Sequence, residues 1–174
     1  LRSANGLETP GYAVERADGD FELRDYPSMV VASVDRDGSR RSAVREAFSP
    51  LAGYIFAKDR PGEKIAMTAP VTQGSSGSGW TVSFIMPAGR SPEELPVPAG
   101  DVRLETREPR LAAAVRFSGR WTDERFSAQA SRLGQWVSAQ GLKAIGDPEF
   151  AYYNDPFTPG FLRRNEVLVE VARD

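Results

Sequence analysis

The sequence contains no cysteine and no histidine. Without cysteine there are no disulfides, no thiolate nucleophile, no iron–sulfur cluster and no cysteine zinc site. The absence of histidine is the stronger restriction. It removes the commonest metal ligand and the usual general base near neutral pH, and with it every Ser–His or Cys–His mechanism. Lysine is scarce too, with 3 residues (Lys58, Lys64, Lys143) against 19 arginines. This bias reads as genome composition, yet it leaves the guanidinium fork as the main partner for a carboxylate-bearing ligand. No apolar run approaches the ~18 residues of a membrane span. The formal net charge of −2 offers no electrostatic case for nucleic acid or an anionic surface.

With 40% hydrophobic and 26% charged residues, a chain of 174 residues suits one soluble domain. Residues 1–11 are polar and expected to form a loosely held terminus before a single domain, 12–174. The chain starts at Leu1, which is compatible with prior removal of an N-terminal segment, so the compartment stays open between cytoplasm and export.

Strands come first. Asp18-Gly19-Asp20 is a turn between two alternating runs, and Tyr26-Pro27 precedes a β-branched run from Met29. Ser39 is placed to cap a helix from about Arg40, with Val44, Phe48, Leu51 and Ile55 as its apolar face. Pro50 lies inside that helix and is expected to kink or split it. The stretch "KIAMTAPV" reads as a strand closing on Pro70, "GSSGSG" (74–79) as a flexible loop, and "WTVSFIMP" as a strand. In the second half two strands flank Glu108-Pro109. Thr122 then caps a helix whose buried stripe is Phe126, Ala130, Leu133 and Val137, stopped by Gly141. Strands over 143–154, broken at Pro148, and 165–172 complete the chain. Each half thus reads ββαββ, and the economical architecture is α+β, a strongly bent sheet or distorted antiparallel β-barrel with two flanking helices.

Several acidic pairs carry no chemistry. Glu93-Glu94 belongs to a solvated loop, Asp123-Glu124 answers the helix dipole, and Glu105 and Glu108 lack a cleft. "GSSGSG" lacks the lysine and following helix of a phosphate loop. The run "YYNDPFTPGFLRRNEVLVEV" is more informative. Consecutive turn signals enclose Phe157 and Phe161 beside Arg163 and Arg164. Two readings stay open: a loop that grips a flat apolar ligand bearing carboxylates, or aromatics plugging a barrel end while the arginines pair with Glu166 and its neighbours.

The pieces "DFELRDYPSMVVASV", "AFSPLAGYIFAKD", "KIAMTAPVT", "WTVSFIMP", "AVRFSG" and "YNDPFTPGFLRRNEVLVEV", in this order, resemble the SOUL family of haem-binding proteins from Tyr12 to Val171. The resemblance implies a distorted barrel and a shallow apolar groove beside the first helix that holds haem or another porphyrin. Residues carried into that site are Tyr54, Lys58, Arg60, Lys64, Met67, Phe157 and Arg164, with no catalytic and no metal-binding set. Histidine ligation is impossible here. The remaining axial donors are methionine (Met67, Met86) and tyrosinate (Tyr54, Tyr152, Tyr153), and binding is expected to rest on the macrocycle and its propionates, with Met67 as core or groove lining. The implied role is a carrier or buffer for a small-molecule tetrapyrrole, with no nucleic acid and no membrane span; the oligomeric state is left open. The rivals are a general small-ligand effector-binding module with an acidic floor from Glu15, Glu22 and Glu170, and, more remotely, a tetrapyrrole-modifying enzyme.

Overall fold

The computed structural model describes residues 1–173. Its nine strands are β1 (Ala13–Asp18), β2 (Phe21–Tyr26), β3 (Met29–Arg36), β4 (Val71–Ser76), β5 (Gly79–Ile85), β6 (Arg103–Arg107), β7 (Arg110–Phe117), β8 (Leu142–Tyr152) and β9 (Asn165–Arg173). Two α-helices, α1 (Arg40–Ile55) and α2 (Asp123–Ala139), make the class α+β. The chain forms two compact units, one of residues 1–10 and 28–108, the other of 11–27 and 109–174.

In the first unit the strands run in the order β4-β5-β3-β6, all antiparallel, and in the second β8-β9-β7-β2-β1, also antiparallel. In each unit a strand (β3 or β7) leads into the helix, a hairpin follows, and the third strand of the set returns beside the first. The units are not the sequence halves, however. β2 precedes α1 in sequence yet pairs with β7, while β6 follows β5 yet pairs with β3. Neither unit is a barrel by itself, because the end strands of each order are not joined to each other within it.

α1 starts where Ser39 accepts a hydrogen bond from the Ser42 N–H at 3.1 Å. Its buried face is Ala43, Ala47, Leu51, Tyr54 and Ile55, packed with Ala32, Val34, Val82 and Phe84 of the sheet. The sequence expectation placed Val44 and Phe48 on this face; instead Val44 is partly buried and Phe48 is 50% exposed. The alanines set the face because they let the helix approach the sheet closely, so the large side chains fall to its flank. α1 also runs through Pro50 unsplit. Neighbours Glu46 and Ser49 are exposed, so the carbonyl that loses its proline partner faces water.

Two further expectations change. "GSSGSG" is not a loose loop: Ser76 pairs with Gly79 and only Gly77-Ser78 form the turn. Gly79 is required, since a Cβ there would lie 2.5 Å from the Arg36 carbonyl oxygen. Residues 65–70 are not a strand either; β4 begins only at Val71. The Ile65 N–H donates to the Ile55 carbonyl at 2.7 Å, the Ala69 N–H to the Glu8 carbonyl at 2.9 Å, and Pro70 has no N–H to give to a ladder. The segment is a buried strap held by the end of α1 on one side and by the N-terminal residues on the other.

In the second unit α2 is capped by Thr122, whose hydroxyl accepts from the Arg125 N–H. It buries Phe126, Leu133, Trp136 and Val137 against the sheet face carrying Phe21, Phe117, Phe150 and Tyr152. Gly141, at φ 72°, ends it as expected. The break at Pro148 is a bulge: the β8–β9 register shifts between Ile145 and Glu149.

Candidate functional site

Five of the seven residues singled out in the sequence lie in the first unit, around the end of α1 and the strap. Tyr54 is in the last turn and buried; its hydroxyl donates to the Pro96 carbonyl at 2.7 Å. Burial pushes this phenol up, partly offset by Arg60 and Arg90, so it stays protonated near neutrality. The Arg60 guanidinium lies 4.8 Å from the centroid of the Tyr54 ring, in cation–π range. Arg60 itself is buried. Its Nη1 donates to the Pro61 carbonyl at 3.0 Å, while Nε and Nη2 are buried with no hydrogen-bond partner among the described residues. An unsatisfied guanidinium in a protein interior is costly.

Lys58 and Lys64 are exposed nearby in sequence, Lys58 with its Nζ 5.9 Å from the Phe56 ring. Met67 is partly buried against the apolar cluster of α1 and the sheet. Val44, Phe48, Ala52 and Phe56 follow each other at intervals of four, which sets them along one flank of α1. Phe48 and Phe56 on that flank are exposed, with Phe48 resting edge-on against Phe84 at 5.5 Å between ring centroids. The first unit therefore combines an aromatic flank, a basic turn and a buried cation with unused donors. Phe48, Phe56 and the orphaned nitrogens of Arg60 escaped the sequence reading; four-residue spacing of the aromatics was the signal available.

Phe157 and Arg164 lie in the second unit. Phe157 is 94% and Phe161 78% exposed, so neither plugs an end of the sheet. Arg164 belongs to a buried ionic cluster that the sequence did not reveal. Arg24 (1% exposed) and Glu166 (0%) form a two-pronged pair at 2.8 and 2.6 Å. Arg24 also donates to Glu22 at 2.7 Å and to the Tyr26 hydroxyl at 2.9 Å. Tyr153 and Arg164 each donate to Glu166 at 2.9 Å. Tyr12 lies under Arg24, and Tyr153 under Arg164 at 3.9 Å. Burial pushes the Glu166 carboxyl up, but hydrogen bonds and charge from Arg24 and Arg164 hold it below the usual carboxylate range. Burial and the Glu166 charge push the Tyr153 phenol well up.

Pairing register explains the cluster. Arg24 stands opposite Ala112 and Glu22 opposite Ala114, with Glu166 two places from Leu168 on the far side of β7. All these positions share the sheet face turned away from α2, and the alanines leave space for a guanidinium to cross β7. Of the carboxylates expected as an acidic floor, Glu22 pairs with Arg24 and Glu15 with Arg173. Among the described residues no cluster of acids suits a metal ion, and no helix is long and apolar enough to cross a membrane.

Comparison with known proteins agrees with this architecture. The chain is 30% identical over 169 residues to Heme-binding protein 2 of Mus musculus, covering 87% of this chain and 80% of that one. It is 31% identical over 173 residues to Heme-binding protein 2 of Homo sapiens, covering 88% and 82%. The crystal structure of the EcmrR C-terminal domain superposes with a TM-score of 0.62 at 17% identity, over 94% of this chain and 99% of that one, a likeness of fold. The model of the SOUL heme-binding protein family matches residues 7–170, and this chain belongs to that family.

Proposed function

We propose that the protein binds haem or a metal-free porphyrin on the first unit beside α1, as a carrier or buffer without chemistry of its own. The observation that carries this reading is Arg60, a buried guanidinium with two nitrogens that have no hydrogen-bond partner among the described residues, in the same unit as the exposed Phe48 and Phe56. Porphyrins present that combination, an apolar plate with carboxylates on one edge. Phe48 and Phe56 would meet the plate, Met67 would line it, and Arg60 with Lys58 and Lys64 would take the propionates. The family match over residues 7–170 supports treating 12–174 as one ligand-binding domain, and the matching strand orders of the two units support an ancient duplication.

No side chain of the first unit is arranged as a strong axial ligand for iron. The chain has no histidine, Met86 is buried, Met67 is a weak thioether donor partly buried against the core, and the Tyr54 oxygen is engaged with Pro96. In the second unit Tyr153 is hydrogen-bonded to Glu166. Affinity then comes from burying apolar surface at ~25 cal/mol per Å² and from the propionates. After association costs this gives roughly micromolar binding. Phe157 and Arg164 are assigned elsewhere, Arg164 to the ionic cluster.

The test is a titration of the purified protein with hemin and with protoporphyrin. The reading expects a saturable Soret change near one equivalent for both, with similar affinity. Binding that does not saturate near one equivalent, or strict dependence on iron, overturns it.

A further inference from the structure

The loop 155–162 of the second unit is left unused by the proposed porphyrin site, and its construction is unusual for an exposed segment. Phe157, Phe161 and Leu162 are 94%, 78% and 62% exposed. Three large apolar side chains displayed together mark an interaction surface. The loop is held in this shape by its own polar groups. The Asp155 carboxylate accepts from the N–H of Phe157 at 2.8 Å and of Thr158 at 3.0 Å. Arg163 reaches back to the carbonyls of Thr158 at 2.8 Å and Pro156 at 2.6 Å, with its guanidinium 4.4 Å from the centroid of the Trp121 ring. Gly160 closes the base: its carbonyl accepts from the Gly119 N–H at 2.9 Å, and a Cβ there would lie 3.2 Å from Arg120 Cγ. The apolar side chains are therefore presented by an anchored scaffold.

What surrounds the tip decides the partner. Arg120 packs on Gly160, Arg125 lies against Gly119, and Arg163 sits on Trp121. Arg120 and Arg125 are exposed and have no acidic partner among the described residues. The acids closest in sequence are Asp155, turned inward onto the loop's N–H groups, and Asp123 and Glu124, in the first turn of α2. Although the net charge of the chain is −2, a projecting apolar tip with guanidinium groups at its base locally matches an anionic lipid bilayer: the side chains enter the acyl boundary while the cations remain at the headgroups. A protein partner would have to offer a concave apolar socket to the same projecting tip.

We propose that loop 155–162 is a membrane-docking loop, inserting Phe157, Phe161 and Leu162 into an anionic bilayer surface with Arg120, Arg125 and Arg163 at the headgroup level. The test is co-sedimentation of the full chain with vesicles of phosphatidylcholine alone and with added phosphatidylglycerol. Binding is expected to the mixed vesicles, weakened by salt. Phe157→Ser/Phe161→Ser/Leu162→Ser should weaken it by about tenfold or more, and Arg120→Glu/Arg125→Glu should abolish the preference for anionic lipid. All five side chains are exposed, and an unchanged near-UV spectrum confirms the fold of each variant; the single Phe157→Ser provides a milder version. Absence of sedimentation with mixed vesicles, or equal sedimentation of the triple variant, overturns the proposal. So does concentration-dependent self-association without vesicle binding, abolished by the same substitutions, which would assign the tip to a protein contact.

Discussion

Arg24 of the second unit and Arg60 of the first are both buried, and in opposite ways. In the second unit Arg24 is matched to Glu166 and Glu22, with Arg164, Tyr26 and Tyr153 completing the set. Some donors there are idle, the Nε of Arg110 and Arg164, but each of those guanidiniums still holds a carboxylate, Glu149 or Glu166. In the first unit Arg60 has one carbonyl, one aromatic ring and no carboxylate among the described residues. A buried cation with its counter-charge built in is part of the scaffold. Arg60 has no such built-in counter-charge among the described residues.

The largest effect should come from separating the two kinds of arginine. Arg24→Met leaves Glu166 buried beside a weaker set of partners and is expected to cost about 3–5 kcal/mol of stability, read from denaturant unfolding. Arg60→Met removes an unsatisfied charge and keeps its apolar stem, so its stability should hold or rise. The same substitution should weaken porphyrin binding by about tenfold or more, the size of a lost charged hydrogen bond. Comparable destabilisation by both would erase the distinction between the two arginines.

Acid should act on the second unit through Glu166. Glu166 is held low in the folded state, against about 4.3 in an unfolded chain. Its contribution to stability is therefore complete above about pH 4.3 and is lost as pH falls through the lower folded value. Glu166→Gln should remove much of that acid limb while lowering stability at neutral pH. A variant whose stability falls between neutral pH and about pH 3 as steeply as the wild type would contradict the assignment. A smaller effect is expected from Phe48→Ala. Phe48 is half-exposed and touches Phe84, so truncation should cost about 1 kcal/mol or less, well below a fully buried phenylalanine. Its porphyrin affinity should fall more clearly than its melting temperature.

Element type was legible in the chain wherever local chemistry decides it. Ser39 and Thr122 mark the helix starts, Gly141 the stop, Asp18-Gly19 the first hairpin and Pro148 the bulge. Periodicity finds Leu51 and Ile55 on the buried face of α1, but hydrophobic size points to Phe48, while the packing there is set by Ala43 and Ala47. The strap 65–70 looks like a strand in composition, yet its backbone groups go to Ile55 and Glu8, partners far away in sequence. The exchange of β2 and β6 between units is likewise a matter of which edges meet, which no local pattern records. Of the site, Arg60 and Lys58 came from the family resemblance. The ionic cluster stayed hidden because it needs the register of β2, β7 and β9 together before Arg24 and Glu166 can be seen on one face.

The central claim is that Arg60 waits for a propionate. Its most direct test is to titrate wild type and Arg60→Met with protoporphyrin and with its dimethyl ester, which keeps the plate and loses the charges. The account predicts that wild type prefers the free acid, that the ester binds both proteins with similar affinity, and that Arg60→Met abolishes most of the preference. If the free acid and the ester bind wild type equally, or if Arg60→Met leaves the preference intact, Arg60 does not meet the propionate and the proposed orientation is wrong.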